Sequence, residues 1–449
     1  MTRRPIALAL AMCLLPLGAH AEDLLQSYEL ARTSDPQLAA AEASRLATRE
    51  GAVQSRAAFL PQIGGSVSAD YSDTRSRLGN GLSPSDGRGS RAYGVSVDQS
   101  VFDLGNISRN RAQRALAEGA NFQLEAASDS LITRTSAAYF NVLVAMETLS
   151  AAEAQETALK KQFDFADKRL EVGLAPITDV HEARAQYDRA RANTIVTRNA
   201  LEDAYRALEE ITGKDVRLLM ALPQDFQPQL PSVLDATGWV QTAIDNNPAL
   251  KAKELEVRSA EAGVDAARAG HLPSVGLRGS YGNSRPFGES IGPIEVESSN
   301  SSTIGLTVSI PIFAGGATQS RVRQALAQRD ATADLLEQQK RALVRSTRNA
   351  YSTLVAGVSE VEARKAAVFS ARSAYDASQV GLEVGTRTVL DVLNNQQTLF
   401  NAEREYALSR YDFLQNRLLL EQAAGTLDLD DLQDVNRLLT VDATLKSSP

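Results

Sequence analysis

The sequence repeats itself at an interval of 212 residues. A chain built that way folds into two like halves or into one structure with internal symmetry. Asp35-Pro36 matches Asn247-Pro248, Leu60-Pro61 matches Leu272-Pro273, and Ala138-Tyr139 matches Ala350-Tyr351. Leu170-Glu171-Val172-Gly173 matches Leu382-Glu383-Val384-Gly385, Asp179-Val180 matches Asp391-Val392, and Gly213 matches Gly425. The halves are residues 22–213 and 240–425. Between them lies a connector, 214–239, which holds Pro223, Pro228 and Pro231 and reads as irregular. Residues 426–449 follow the second half as a C-terminal segment.

Both halves follow one order. A helix of about 35 residues ends at a Leu-Pro pair. Two segments of alternating polarity come next, then a very long helix, a glycine-marked turn and a second long helix. Leu104 to Val172 contains no proline and only Gly105 and Gly119 as glycines; Gly316 to Val384 contains no proline and only Gly316, Gly357 and Gly381. At ~1.5 Å per residue each would reach roughly 100 Å. Apolar residues recur every seven positions at Leu354, Val361, Val368, Tyr375 and Leu382, and again at Val392, Leu399, Tyr406, Phe413 and Leu420. Val180, Tyr187, Leu201 and Leu208 echo this in the first half. A sustained seven-residue repeat predicts paired, supercoiled helices.

The alternating segments are Ile63, Gly65, Val67, Ala69, Tyr71 and Tyr93, Val95, Val97 in the first half. In the second they are Val275, Leu277, Gly279, Tyr281 and Ile304, Leu306, Val308, Ile310. This period fits tilted strands that cross an outer membrane, and the polar connections 72–91 and 282–302 fit external loops. Four strands cannot close a barrel around an interior, and an open sheet edge in lipid is very costly. Membrane strands of this number therefore require more than one chain.

Arg3 and Arg4, the apolar run Ile6 to Leu17 and Ala19-His20-Ala21 read as a signal peptide over 1–21, with Glu22 as the mature start. Cys13, the only cysteine, lies inside it, so the mature chain has no disulfide and no thiol chemistry. Removing Arg3 and Arg4 changes the charge from 47 − 55 = −8 to 45 − 55 = −10. Such acidity makes a poor nucleic-acid binder, and no nucleic-acid partner is expected. His181 and His271 carry no ligand spacing, so no metal site is expected, and no cofactor. Gly213-Lys214 lacks the rest of a phosphate loop, and no G-x-S-x-G elbow is present, so the inventory does not suggest an enzyme.

The duplication, the Asp35-Pro36 and Asn247-Pro248 helix starts, the two Leu-Pro junctions and Pro311-Ile312-Phe313 together resemble the TolC family of outer-membrane efflux and secretion channels. Val172-Gly173-Leu174 with Ile177-Thr178-Asp179-Val180, and Val384-Gly385-Thr386-Arg387-Thr388 with Asp391-Val392-Leu393, are the nearest local matches. The resemblance covers essentially the whole mature chain. It implies a mixed α/β membrane protein: a trimer with a twelve-stranded β-barrel, four strands per chain, continued by a long periplasmic coiled-coil barrel. The 426–449 segment would lie at its equator. The function implied is a passive exit duct of a tripartite efflux pump or a type I secretion system. A periplasmic adaptor (membrane fusion) protein, an inner-membrane pump or ABC transporter, and outer-membrane lipid are the implied partners. A periplasmic coiled-coil adaptor is the alternative from another class.

The resemblance also assigns site residues. Gly173, Leu174, Gly385 and Thr386 are docking turns for the adaptor, beside the alternative that the glycines only supply positive φ. Asp179, with Thr178 beside it, and Arg387 match a pair that locks the periplasmic tip; the alternative is that Asp179 caps a helix start. The family places a tyrosine shortly before the second turn, where this chain has Leu382. Asp391 matches one of two aspartates that ring the entrance, and the other is replaced by Asn394. A single ring of three carboxylates implies cation preference weaker than the family pattern. The local alternative for Asp391 is an N-cap.

Overall fold

The computed structural model describes residues 23–75, 85–174, 176–230, 235–288 and 298–443; the expected signal peptide at 1–21 lies outside them. The chain divides into two compact units, each assembled from both halves of the sequence. One comprises residues 42–124 and 249–340, the other residues 1–41, 125–248 and 341–449.

In order, the elements are α1 (Leu24–Ser34), α2 (Pro36–Ala57), β1 (Gln62–Arg75), β2 (Ser85–Phe102), α3 (Leu104–Glu171), α4 (Ile177–Thr212), β3 (Met220–Ala221) and α5 (Ala236–Asn246). There follow α6 (Pro248–Arg268), a 3₁₀ turn, β4 (Ser274–Gly288), β5 (Ser299–Ser309), α7 (Ala317–Glu383), α8 (Val389–Ala424), α9 (Leu429–Asn436) and β6 (Val441–Asp442). The two long helices stand where the sequence places them, within a residue at each end.

The single helix of about 35 residues expected at the head of each half is instead two. Pro36 and Pro248 lack the N–H that would continue the ladder; Asp35 before the first is extended, and Asn247 before the second leaves the helical region with ψ 119°. Asp35 uses the break: its carboxylate accepts from the Leu38 N–H at 2.6 Å and from two Arg134 nitrogens at 3.0 and 3.1 Å. Asn247 at the second break donates from Nδ2 to the Ala423 carbonyl at 3.1 Å. Each break also receives the glycine that ends its own half. A Cβ on Gly213 would lie 2.9 Å from that of Ser34, and one on Gly425 would lie 2.6 Å from the Asn247 backbone.

The first unit carries an antiparallel sheet in the order β1-β2-β4-β5. The ladder aligns the apolar set: Val67 with Tyr93, Val95 with Tyr281, Leu277 with Leu306, Val275 with Val308. These residues share one face, and that face is bare, with Val67 87% and Ile304 81% exposed. A bulge between Ser100 and Phe102 brings Phe102 opposite Val275 on the same side. The other face is polar and holds the register pair Asp98 and Arg278, joined at 2.6 Å. The connections expected at 72–91 and 282–302 are shorter than the sequence suggests. The strands run on to Arg75, from Ser85, to Gly288 and from Ser299, because backbone pairing continues through Gly- and Ser-rich stretches without apolar side chains.

The second unit holds the hydrophobic core. Leu131, Tyr139, Phe140, Val142 and Leu143 of α3 meet Tyr205 and Leu208 of α4, Leu354 and Val361 of α7, and Tyr411, Leu414 and Leu418 of α8. The 214–239 connector is not wholly irregular. It contains β3, which pairs with β6 through Met220 opposite Asp442 and Ala221 opposite Val441, and the first turn of α5. Tyr139 fastens the connector, its hydroxyl donating to the Met220 carbonyl at 2.9 Å and accepting from the Met220 N–H at 2.8 Å. Arg410, only 3% exposed, donates to Glu147 at 2.7 Å and to the Pro223 carbonyl at 3.2 Å.

Glu421, 4% exposed, lies near the start of α9. Burial pushes its carboxyl up to about 7 and the Asp431 charge adds to this, against the Arg417 guanidinium at 3.3 Å. Its Oε2 is buried without a hydrogen-bond partner. An unfolded chain releases this proton near the ordinary value of 4.5. The folded chain holds it longer, so the stabilisation is fully present below that value and is lost as pH rises through about 7. Thermal unfolding in detergent should therefore show stability falling by on the order of 2 kcal/mol between about pH 5 and pH 8. Glu421→Gln should flatten that fall.

Candidate functional site

The residues singled out by the sequence cluster at two helix-turn-helix ends, α3 to α4 and α7 to α8. Both turns are built alike. After α3, the Gly173 N–H donates to the Leu170 carbonyl at 2.9 Å and the Leu174 N–H to Arg169 at 2.7 Å. After α7, the Gly385 N–H donates to Leu382 at 3.2 Å and the Thr386 N–H to Gly381 at 2.8 Å. These paired bonds are Schellman caps, which need a left-handed residue, and Gly173 and Gly385 supply it at φ +74° and +77°. A Cβ at either glycine would meet nothing within 4 Å, so conformation and not crowding selects glycine. Leu174 and Val172 are each more than two-thirds exposed, leaving an apolar pair at the first turn.

The two helices that leave the turns start differently. Thr388 is the N-cap of α8. Its hydroxyl accepts from the Asp391 N–H at 3.2 Å, and the Asp391 carboxylate accepts from the Thr388 N–H at 2.9 Å. Asp391 is thus not the N-cap itself but the third-position partner of a reciprocal box. The Thr388 N–H, with its hydroxyl and the nearby charge of Arg387, holds the Asp391 carboxyl below its ordinary range. For α4 the N-cap is Pro176, which has no side-chain cap bond. Asp179 sits in the first turn, where negative charge suits the helix dipole, and so does not cap α4. Its carboxylate accepts from the Thr178 hydroxyl at 3.5 Å.

Within the described residues of the single chain, no ion pair joins Asp179 to Arg387. Arg387 instead lies against Gly381, where a Cβ would meet its Cγ at 2.6 Å, and its N–H donates to the Gly381 carbonyl at 3.1 Å. The Arg387 charge reaches Asp391 as one of the influences that lower its carboxyl, and within the described residues Arg387 is not paired with Asp179. Asn394, one turn beyond Asp391, is exposed and faces a cleft of about 430 Å³ that Gln186, Asn193, Gln397 and Asn401 also line.

Side chains outside the assigned turn and lock residues bind α8 to the first helix pair. Leu393 is buried against Leu159 of α3 and Ala190 of α4, with Tyr187 and Val389 packed beside them. Gln155 of α3, also buried, donates to Gln397 of α8 at 2.5 Å. The adjacency Val392-Leu393 was the available signal, since two neighbouring apolar residues give a helix two buried sides.

A family model described as outer membrane efflux protein matches twice, at residues 27–214 and 239–426. The two matches are displaced by 239 − 27 = 212 residues, the interval of the internal repeat. The chain belongs to this family. It is 34% identical over 446 residues to the outer membrane protein TolC of Escherichia coli (strain K12), covering 97% of this chain and 89% of that protein. It is 30% identical over 433 residues to the alkaline protease secretion protein AprF of Pseudomonas aeruginosa, covering 94% and 88% respectively. Its fold is similar to that of the Campylobacter jejuni CmeC outer membrane channel, with a TM-score of 0.79, 18% identity and coverage of 94% and 91%. The chain is an outer-membrane protein that extends into the periplasm, of a family of channel proteins. The periplasmic-adaptor alternative is thereby set aside.

Removing the Thr388 hydroxyl should cost ~1 kcal/mol at the start of α8. Amide exchange at residues 389–392 in Thr388→Ala should accordingly quicken roughly fivefold, while exchange at the start of α4 stays unchanged.

Proposed function

We propose that the chain is the outer-membrane exit duct of an efflux or type I secretion machine, passing cargo from periplasm to exterior without chemistry of its own. The observation that carries this reading is the sheet: four strands long enough to cross a bilayer, one face apolar and bare, the other polar, with β1 and β5 as edges. Three chains would supply twelve strands, closing those edges on one another. A water-filled lumen would then be lined by the polar face, where Asp98 and Arg278 lie.

The turns at Gly173-Leu174 and Gly385-Thr386 are proposed as the surface met by a periplasmic adaptor, whose inner-membrane pump or ABC transporter supplies the energy. The exposed Val172 and Leu174 offer that partner apolar area. Asp179 and Arg387 are unpaired with each other in one chain, so a lock between them would be formed between neighbouring chains of the trimer. Exposed pairs contribute about 1 kcal/mol or less each, which keeps such a lock openable by partner binding. Asp391 would provide one carboxylate per chain at the entrance, next to the Asn394 amide.

Single-channel recording in planar bilayers tests this reading. The native chain should give low, cation-selective conductance, and Asp179→Ala/Arg387→Ala should raise it. Failure to insert, with the protein remaining in solution once detergent is removed, would contradict the duct.

A further inference from the structure

The bare apolar face of the sheet carries two like charges side by side. Arg91 of β2 and Arg285 of β4 are register partners on that face, and both are exposed. Like charges directly opposite in an antiparallel pair repel. Among the described residues neither guanidinium has a carboxylate partner, and no carboxylate lines the groove beside them. Arg278, on the polar face of β4, is by contrast paired with Asp98 at 2.6 Å.

The pair stands at a defined height. All four strands join their helices at one end of the sheet, the end of Gln62, Phe102, Ser274 and Ser309. Arg285 lies ten residues along β4 from Val275, away from that end. At ~3.3 Å per residue and a tilt of about 40°, this is roughly 25 Å of height, the height of the apolar band on an outer-membrane barrel. Aromatic residues mark the same level. Tyr71, Tyr93, Tyr281 and Phe287 stand on the apolar face within a few rows of the pair, and all are exposed. Aromatic girdles of this kind sit where lipid headgroups begin.

The arginines also line a groove of about 470 Å³, together with Val67, Tyr93, Asn283 and Phe287. The Arg91 guanidinium lies over the Phe287 ring, 5.1 Å from its centroid, which steadies the charge on the face. Phe287 can lie there because its register partner is Gly89, where a Cβ would come within 2.2 Å of the ring. The groove is far larger than an inorganic anion and has room for a phosphate with part of the sugar that bears it. β2 and β4 are the inner strands of the sheet, so closure through β1 and β5 leaves the groove open to lipid.

We propose that Arg91 and Arg285 form a binding site, one per chain, for the phosphate of a glycolipid of the outer leaflet. Two planar guanidinium groups present several N–H donors to phosphate oxygens, and each such bond is charge-assisted. A phosphate between them replaces their repulsion by two attractions. The acyl chains of the lipid then run along Val67, Val95 and Ile304, which are bare on the same face. The inference rests on the duct reading, through the apolar face meeting lipid.

The test is native mass spectrometry of the detergent-purified protein mixed with lipid A, with phosphatidylglycerol or with inorganic phosphate. The expected result is one lipid A retained per chain. Phosphatidylglycerol should be retained far less, and inorganic phosphate should neither be retained nor displace lipid A. Arg91→Gln/Arg285→Gln should weaken lipid A retention by about tenfold or more. Arg321→Gln/Arg323→Gln, which removes two exposed arginines from α7, should leave it unchanged. Arg285→Glu separates binding from folding. It sets an opposite charge across from Arg91, so this variant should unfold no earlier than the native protein and still lose lipid A. Native-level lipid A retention in Arg285→Glu, equal retention of phosphatidylglycerol, or displacement by inorganic phosphate would each overturn the site while the duct stands. If the native protein retains no lipid of any kind and stays in solution once detergent is removed, the duct reading itself fails.

Discussion

A four-stranded sheet with an apolar face suits lipid, but its two edges do not. The groups along β1 and β5 that face away from the sheet have no ladder partner among the described residues, and lipid offers none. Only closure with other chains answers this. The requirement reaches far into the sequence. It explains why apolar residues recur on one face through Gly- and Ser-rich strands, where the bulge between Ser100 and Phe102 sets Phe102 opposite Val275. On the proposed duct reading, self-association is a condition of the fold and not an addition to it.

The helical unit meets a related constraint. A helix that packs on one neighbour needs one buried stripe; a helix inside a ring of helices needs two. In α8, Val392, Leu399, Phe413 and Leu420 form one stripe, while Leu393, Ala407, Tyr411, Leu414 and Leu418 form another, and all of them are buried. Charges are left to the rims, where arginine-glutamate bonds join the members of each pair, Arg198 to Glu153 and Arg372 to Glu403. The contact between pairs then passes to amides and small apolar residues near the turns, and to the buried Arg410–Glu147 bond nearer the core.

Much of this was legible in the sequence because its signals are periodic. The seven-residue repeat located Val180, Leu208, Leu354, Val361, Val392 and Phe413, all of which are buried, and the period of two located the strand faces. The duplication located both turns, whose glycines adopt the left-handed conformation. What remained hidden was non-periodic. The partner of the Asp35 carboxylate is Arg134, 99 residues away, and the Gln155–Gln397 bond spans 242 residues. No spacing rule links such distant polar residues. The roles of Asp179 and Asp391 looked equivalent from the repeat, yet only Asp391 has a threonine three residues earlier to complete a capping box. Pro176 stands at the corresponding position before Asp179, and proline has no side-chain donor or acceptor.

The claim that the sheet closes only between chains is tested most directly by native mass spectrometry of the protein released from detergent micelles. Closure of β1 on β5 between copies gives a species of three times the chain mass, with the single chain absent under conditions that preserve the β signal in circular dichroism. A stable single chain with its sheet content intact would contradict the account, for it would mean that the edges are satisfied without a second copy.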